Sequence, residues 1–239
     1  MLAGKHAVLE ALSAGREIVE IQFLRGTRKN LGVLLNLAEQ KGIKIREVGT
    51  KELDLLYVGV HQGVVAKLSK FKYALLDDVV SEVLGRGAFF VVLDHLTDPH
   101  NFGAIIRTAA VFGVDGIIIP RDRSVQITST VLKVASGGCE YVPIIMVRNI
   151  AETIDKLKRE GVVVYAADLQ GESLFEFKFS GDLAIVFGAE GKGVSRLAKE
   201  RSNALLTIPM FGESLSLNVS VAAGIIIAEI AKQKQRSSC

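Results

Sequence analysis

Ala88-Phe89-Phe90-Val91-Val92-Leu93 is six residues without a polar side chain, and Asp94-His95-Leu96-Thr97-Asp98-Pro99 follows it at once. An unbroken apolar run of that length, rich in β-branched and aromatic residues and bounded by turn formers, predicts a strand buried on both faces. Four more such runs follow at residues 116–119, 162–166, 183–187 and 204–208, with helix-periodic stretches near 102–112, 150–159 and 219–232 between them. This alternation predicts an α/β fold built on an open, mostly parallel sheet with helices on both faces. Ligands of such sheets sit beyond the carboxyl ends of the strands. The residues after Leu93, Phe187 and Ile208 are therefore where chemistry is expected.

Upstream, the pattern shortens. Residues 5–12 have helical spacing and close at Gly15, 18–24 read as a strand, and 31–40 as a helix stopped by Gly42; 43–48, 51–56 and 63–68 read as strand, short helix and strand. These fit one compact α/β unit at residues 1–72, a linker at 73–87 and a second domain at 88–239, with the boundary at Ser69 to Tyr73. Charge divides in the same place. Residues 1–72 hold 12 Lys and Arg against 7 Asp and Glu, net +5, which leaves 17 against 19, net −2, for the remainder. A basic small module joined to a near-neutral larger one suggests that the small one meets an anion.

Composition excludes several classes. Hydrophobic residues make up 49% and charged residues 23% of 239, a globular balance that argues against disorder or low complexity, and the overall charge of +3 is no polycation. The richest apolar run, 221–228, stops at Glu229, well short of the roughly 20 residues of a membrane span. Lys5, His6 and Glu10 stand where a signal peptide needs an apolar core, so a cytoplasmic protein is expected. Cys139 and Cys239, 100 positions apart, suggest two free thiols rather than a disulfide or a zinc site.

The three strand-end loops are unusual in content. The first carries Asn101, placed to cap a helix, then Gly103 and Arg107, the one charged side chain among Ile105, Ile106, Ala109 and Ala110. An arginine on such a helix needs an anion, either a carboxylate of its own chain or something bound. His95 and His100 have no recognised ligand spacing, and no metal is assigned to them. The second loop, Gly188-Ala189-Glu190-Gly191-Lys192-Gly193, has three glycines and one carboxylate; it matches neither the P-loop nor the dinucleotide fingerprint, and what remains is a backbone able to approach a ligand closely. The third runs Ile208-Pro209-Met210 to Ser216-Leu217-Asn218-Val219-Ser220. Taken alone, Ser216, Asn218 and Ser220 are helix caps.

Taken together and in this order, Asn101-x-Gly103-x-x-x-Arg107, Phe187-Gly188-Ala189-Glu190-Gly191-x-Gly193 and Ile208-Pro209-Met210 with Ser216-Leu217-Asn218-Val219-Ser220 resemble the three motifs of the SpoU (TrmH-type) ribose methyltransferases of the SPOUT superfamily. Gly4-Lys5-His6-Ala7-Val8 and His61-Gln62-Gly63-Val64 are similar to the small RNA-binding domain, itself like a ribosomal protein, of the subgroup that modifies a guanosine of 23S ribosomal RNA.

The resemblance implies a SPOUT-type knotted parallel sheet whose C-terminal segment makes a deep trefoil knot, contrary to the general rule. It implies S-adenosylmethionine as methyl donor, bound by Gly188, Ile208, Met210 and Leu217, with no metal. It implies a homodimer with sites at the subunit interface, where Asn101 and Arg107 serve the partner's cofactor. Methyl transfer to a ribose 2′-OH needs in-line alignment and loss of a proton. The family's first-motif arginine, Arg107 here, is proposed as the base helped by an RNA phosphate; a guanidinium with a pKa above about 12 is a poor proton acceptor but a strong phosphate clamp. Asn101, Glu190, Ser216 and Asn218 would position Arg107, the ribose or the loops. Lys5, Arg25, Arg28, Lys29 and Lys44 are candidates for phosphate contacts. With 4 Tyr and no Trp, a structured RNA is expected rather than a stacked single strand, ribosomal RNA ahead of transfer RNA, and neither DNA nor a membrane. The competing readings are a transfer RNA ribose methyltransferase and a non-catalytic RNA-binding ribosome-assembly factor.

Overall fold

The computed structural model describes residues 1–13, 17–69, 71–210 and 216–237, with side chains to residue 234. The expectations placed on Gly15, Lys70 and Cys239 lie outside the described residues. The chain forms two compact units, Met1–Phe71 and Lys72–Cys239.

The first unit runs β1 (Leu2–Ala3), α1 (Lys5–Ser13), β2 (Ile18–Leu24), α2 (Gly32–Gln40), β3 (Lys44–Val48), α3 (Thr50–Leu56) and β4 (Val64–Leu68). Its sheet order is β1-β4-β2-β3, with β2 and β3 parallel and β4 antiparallel to both its neighbours. Val8, Leu12, Leu34 and Leu35 from α1 and α2 are buried with Ile21, Phe23, Val64 and Ala66. On the opposite face Leu53 of α3 packs with Val48 and Val65. Alternation along β4 thus supplies both cores, as the period-two geometry of a strand requires.

The second unit continues α4 (Leu76–Val83), β5 (Phe89–Asp94), α5 (Pro99–Val111), β6 (Gly116–Pro120), α6 (Ser129–Ala135), β7 (Ile144–Val147), α7 (Ile150–Arg159), β8 (Val163–Ser173), β9 (Leu183–Gly188), α8 (Arg196–Arg201), β10 (Ala204–Thr207) and α9 (Val219–Ser237). Six strands in the order β10-β8-β9-β5-β6-β7 pair in parallel throughout. All six residues of β5 and all six of β9 are buried, as expected for the two strands at the centre of a sheet covered on both sides. On one face Phe90, Val92, Ile118, Val164 and Val186 pack with Val79 and Val80 of α4, Ile150, Ile154 and Leu157 of α7, and Ala198 of α8. On the other, α5 packs against α9, and α9 against β9.

Two sequence expectations change here. The sheet has a sixth strand, β7, which begins directly after Pro143 and lies at the sheet's edge, a position where a proline interrupts the strand pattern. Residues 73–87, expected to be a linker, carry α4 instead, and its two buried valines belong to the second unit's core. The charged residues Asp77, Asp78 and Glu82 hid that helix by diluting its apolar face.

The chain leaves β7 at one edge and re-enters the sheet on the other side of β5, so the strand order reverses between β5 and β9. That is the switch point where open α/β sheets bind ligands. Asp94 pairs in register with Gly188 there, which brings the first two loops side by side.

Gly103 explains how α5 is seated. A Cβ on it would lie 2.6 Å from Val134 Cβ and 2.9 Å from the Val131 carbonyl. Gly103→Ala should therefore destabilise the protein by about 1–3 kcal/mol through overpacking, although alanine is the better helix former by about 1 kcal/mol. Chemical denaturation checks this; an unchanged or raised midpoint would mean that α5 and α6 part without penalty.

Candidate functional site

The first loop is held by carboxylates that sequence inspection passed over. Asp98 caps α5, its side chain accepting from the N–H groups of His100 and Asn101, and Pro99 occupies the first turn. The expectation that Asn101 would be the cap is corrected: it is the third residue of the helix, 6% exposed, and its side-chain amide is engaged elsewhere. Asp94, 2% exposed at the end of β5, accepts from the Ser195 N–H at 2.7 Å and faces His95 Nδ1 at 2.6 Å. It therefore fastens the far end of the glycine loop to the first loop. An acidic residue directly ending a wholly apolar strand was the available signal, since such a carboxylate must find donors when buried.

The glycine loop closes on itself. Gly193 N–H donates to the Ala189 carbonyl at 2.8 Å, and Gly191 and Gly193 have φ of +75° and +66°. A Cβ on Gly188 would lie 1.9 Å from the Gly193 carbonyl carbon. At Gly188 the missing side chain makes room for the loop's own backbone.

Glu190, at the tip of this loop, joins all three segments. Its Oε1 accepts from Asn101 Nδ2 at 2.7 Å and from Asn218 Nδ2 at 2.7 Å. Asn218 in turn caps α9, its Oδ1 accepting from Ser220 N–H at 2.9 Å and Ser220 Oγ at 2.6 Å. The residue is a helix cap on one side of its amide and a cross-link on the other. A carboxylate accepting two amide N–H groups is a charge-assisted arrangement, stronger than neutral hydrogen bonds. Residues 89 and 117 positions apart in sequence from Asn101 are thereby brought to one point.

Other expected residues make no hydrogen bond to this junction among the described residues. Ser216 is exposed and has no hydrogen bond among the described residues. Ile208 is half-buried just past β10, while Met210 and Leu217 are each 39% exposed. The backbones of Ile208, Met210, Ser216 and Leu217 make no hydrogen bond to another described residue. Apolar side chains partly open to solvent beside unengaged amide and carbonyl groups suit a flat heteroaromatic ligand with polar edges.

Arg107 lies elsewhere on α5. Six residues beyond Asn101 means about 9 Å along the axis and about 240° around it. It is exposed, without an ion pair among the described residues, and borders a shallow recess of about 270 Å³ with Ala110, Val111, Ser136, Gly138 and Tyr141. Val111 and Tyr141 there are 73% and 80% exposed. Of the two partners open to a lone helix arginine, a carboxylate of its own chain is absent among the described residues.

Cys139 is a free, half-buried thiol whose pKa is pushed up to about 11 by burial and by the neighbouring Glu140. Among the described residues no group of three or more His, Cys, Asp or Glu side chains is placed to hold a metal ion. No helix there is long and apolar enough to cross a membrane.

Residues 88–228 match the SpoU rRNA Methylase family, and residues 1–74 match the RNA 2'-O ribose methyltransferase substrate binding family. A relative from Bacillus subtilis, named as the TrmH family tRNA/rRNA methyltransferase YacO, is 40% identical over 236 residues, covering 97% of this chain and 94% of its own. The AdoMet-bound rRNA methyltransferase of Sinorhizobium meliloti is 25% identical, with a TM-score of 0.67 over 96% of this chain and 85% of that one. AviRb of Streptomyces viridochromogenes, a SpoU methyltransferase solved with AdoMet, shares the fold, with a TM-score of 0.69 over 100% of this chain and 90% of that one at 23% identity.

Removing the shared acceptor should loosen all three loops at once. Glu190→Ala strands the buried Asn101 amide, a loss of about 1–3 kcal/mol, and should lower hydrogen-exchange protection at Gly193, Ser195 and Ser220 together. Glu190→Gln, which keeps a carbonyl oxygen at the same place, should lose less. Loosening confined to the glycine loop would show that the junction is not shared.

Proposed function

Because the chain belongs to the SpoU rRNA methylase family, and is on that ground an RNA methyltransferase, we propose that it transfers a methyl group from S-adenosylmethionine to the ribose 2′-OH of a guanosine in 23S ribosomal RNA. The observation that carries this reading is the junction at Glu190, which gathers the starts of α5 and α9 and the loop after β9 at the sheet's switch point. Residues 1–72 would bind the RNA and residues 88–239 would hold the donor in a C-terminal trefoil knot.

S-adenosylmethionine supplies a methyl group made electrophilic by its sulfonium. Ile208, Met210 and Leu217 would hold it, with side chains against its apolar surfaces and backbone groups at the edges of its adenine. Gly188 contributes indirectly, by letting the glycine loop fold flat. Asn101, Glu190 and Asn218 fix the loops around the donor, so that alignment with the attacking oxygen is set before substrate arrives. Ser216, free of other duties, is available to the ribose.

Arg107 completes the site from the other subunit of a homodimer. Within one chain it faces away from the junction, and the exposed Val111 and Tyr141 beside it give that face apolar area to bury. Its guanidinium would hold an RNA phosphate and stabilise the alkoxide that develops as the hydroxyl loses its proton.

Labelled methyl transfer onto total RNA, with the modified nucleotide mapped, tests the reaction; 2′-O-methylguanosine in 23S ribosomal RNA is expected, and label confined to transfer RNA would overturn the substrate. Arg107→Ala should reduce transfer at least 100-fold with cofactor affinity within about twofold of wild type. Mixing it with Glu190→Ala should recover activity, because a heterodimer contains one site with both groups intact. No recovery from exchanged subunits would place Arg107 in the site of its own chain.

A further inference from the structure

The loop that follows α6 lies against α5 at Arg107. A Cβ on Gly138 would stand 3.1 Å from the Ile106 carbonyl oxygen and 3.3 Å from Arg107 Cα, so a side chain there would push the two backbones apart. The recess beside Arg107 is made by this close approach, with Ala135, Ser136 and Gly138 forming its other wall.

This loop leaves its donors unused. Ser136 and Gly137 have φ of +49° and +87° directly after the right-handed turn of α6. A reversal of that kind turns successive backbone N–H groups toward one side and makes a concavity suited to anions. The carbonyls are already taken: Gly137 accepts from Glu140 N–H at 3.0 Å, and Gly138 from the N–H groups of Tyr141 and Val142 at 3.1 Å each. The N–H groups of Gly137, Gly138 and Cys139 donate to no acceptor among the described residues, and the Ser136 hydroxyl makes no hydrogen bond there. Gly138 is a buried residue, and a buried amide without an acceptor is rare in folded proteins. Ser136, moreover, carries a side chain in a conformation that favours glycine, the kind of strain that collects at functional sites.

Charge selects the ligand. Arg107 is exposed and without an ion pair among the described residues, as is Lys133 in the last turn of α6, while Glu140 is the one carboxylate in residues 129–142. The two charged oxygens of a phosphodiester sit on a tetrahedral phosphorus and can meet donors on facing walls; a planar carboxylate presents both to one side. We infer that Ser136, Gly137, Gly138 and Cys139 form with Arg107 a site for one phosphate of the substrate RNA, the amides and the hydroxyl taking one charged oxygen and the guanidinium the other. The inference rests on Arg107 acting as a phosphate clamp, and it supplies the groups that hold that phosphate from the opposite side. These are positioning residues: they fix the phosphate, and through it Arg107 and the neighbouring ribose.

Replacement of Gly137 tests the site, because a Cβ there meets nothing within 4 Å and both Asn and Asp tolerate a positive φ. Gly137→Asp and Gly137→Asn match in shape and differ by one charge. In full-length protein carrying isotopically labelled glycine, titration with inorganic phosphate should shift the Gly138 amide resonance saturably in the wild type and in Gly137→Asn, with binding at least tenfold weaker in Gly137→Asp. Gly191 and Gly193 of the glycine loop should not move. In methyl transfer the KM for RNA should be at least tenfold higher in Gly137→Asp than in Gly137→Asn, with equal affinity of the two for S-adenosylhomocysteine and a gap that narrows as salt rises. No saturable shift at Gly138, shifts spread evenly over the glycines as from an adventitious ion only, or the same KM in both variants would each overturn the inference. Phosphate binding that the aspartate abolishes, in a protein that methylates no RNA, would sink the catalytic reading and leave the phosphate site standing.

Discussion

One carboxylate oxygen holds the candidate site together. Glu190 Oε1 accepts from the amides of Asn101 and Asn218, and through them the first turn of α5, the glycine loop and the cap of α9 become one rigid object. Each partner is fixed by something further. Asn101 is held by a helix that Asp98 caps and Gly103 seats against α6; Glu190 is held by a loop that Gly188 lets fold flat and Asp94 fastens at Ser195. The glycines therefore serve this junction chiefly through close packing of backbone on backbone or on a neighbouring helix.

The same junction separates two sets of residues that the sequence motifs present as one. Asn101 and Arg107 belong to a single motif, but helical geometry sends them to different sides of α5, one buried at the junction and the other exposed. A motif of this kind makes chemical sense if its two halves serve different sites, which in a symmetric dimer are the chain's own and its partner's. The exposed apolar side chains next to Arg107 fit that division.

Much of the architecture was legible because its signals are strong ones. β5, β9 and α7 follow from apolar runs and periodicity, and α7 falls on the expected residues 150–159. β7 escaped because Pro143 stands directly before it, and α4 because three of its eight residues are acidic and dilute its apolar face. In the site, the residue types were readable and the geometry was not. No spacing rule relates Asn101 to Glu190 and Asn218, since the contact depends on the order in which strands enter the sheet. Asp94 was overlooked although a carboxylate buried at a strand end must find donors, and Asp98, half-buried, although an Asp directly before a proline is a favoured helix cap. In the first unit, charge counting found the basic module but could not tell free cations such as Arg25 from paired ones such as Arg28, which only the fold distinguishes.

The most direct measurement is a crystal structure of the protein with S-adenosylhomocysteine bound. The expected structure is a dimer in which the adenine lies against Ile208, Met210 and Leu217, the Asn101–Glu190–Asn218 contacts are intact, and the partner subunit's Arg107 reaches the sulfur end of the ligand. A ligand bound away from the ends of β9 and β10, or an Arg107 from the same chain beside the sulfur, would contradict it.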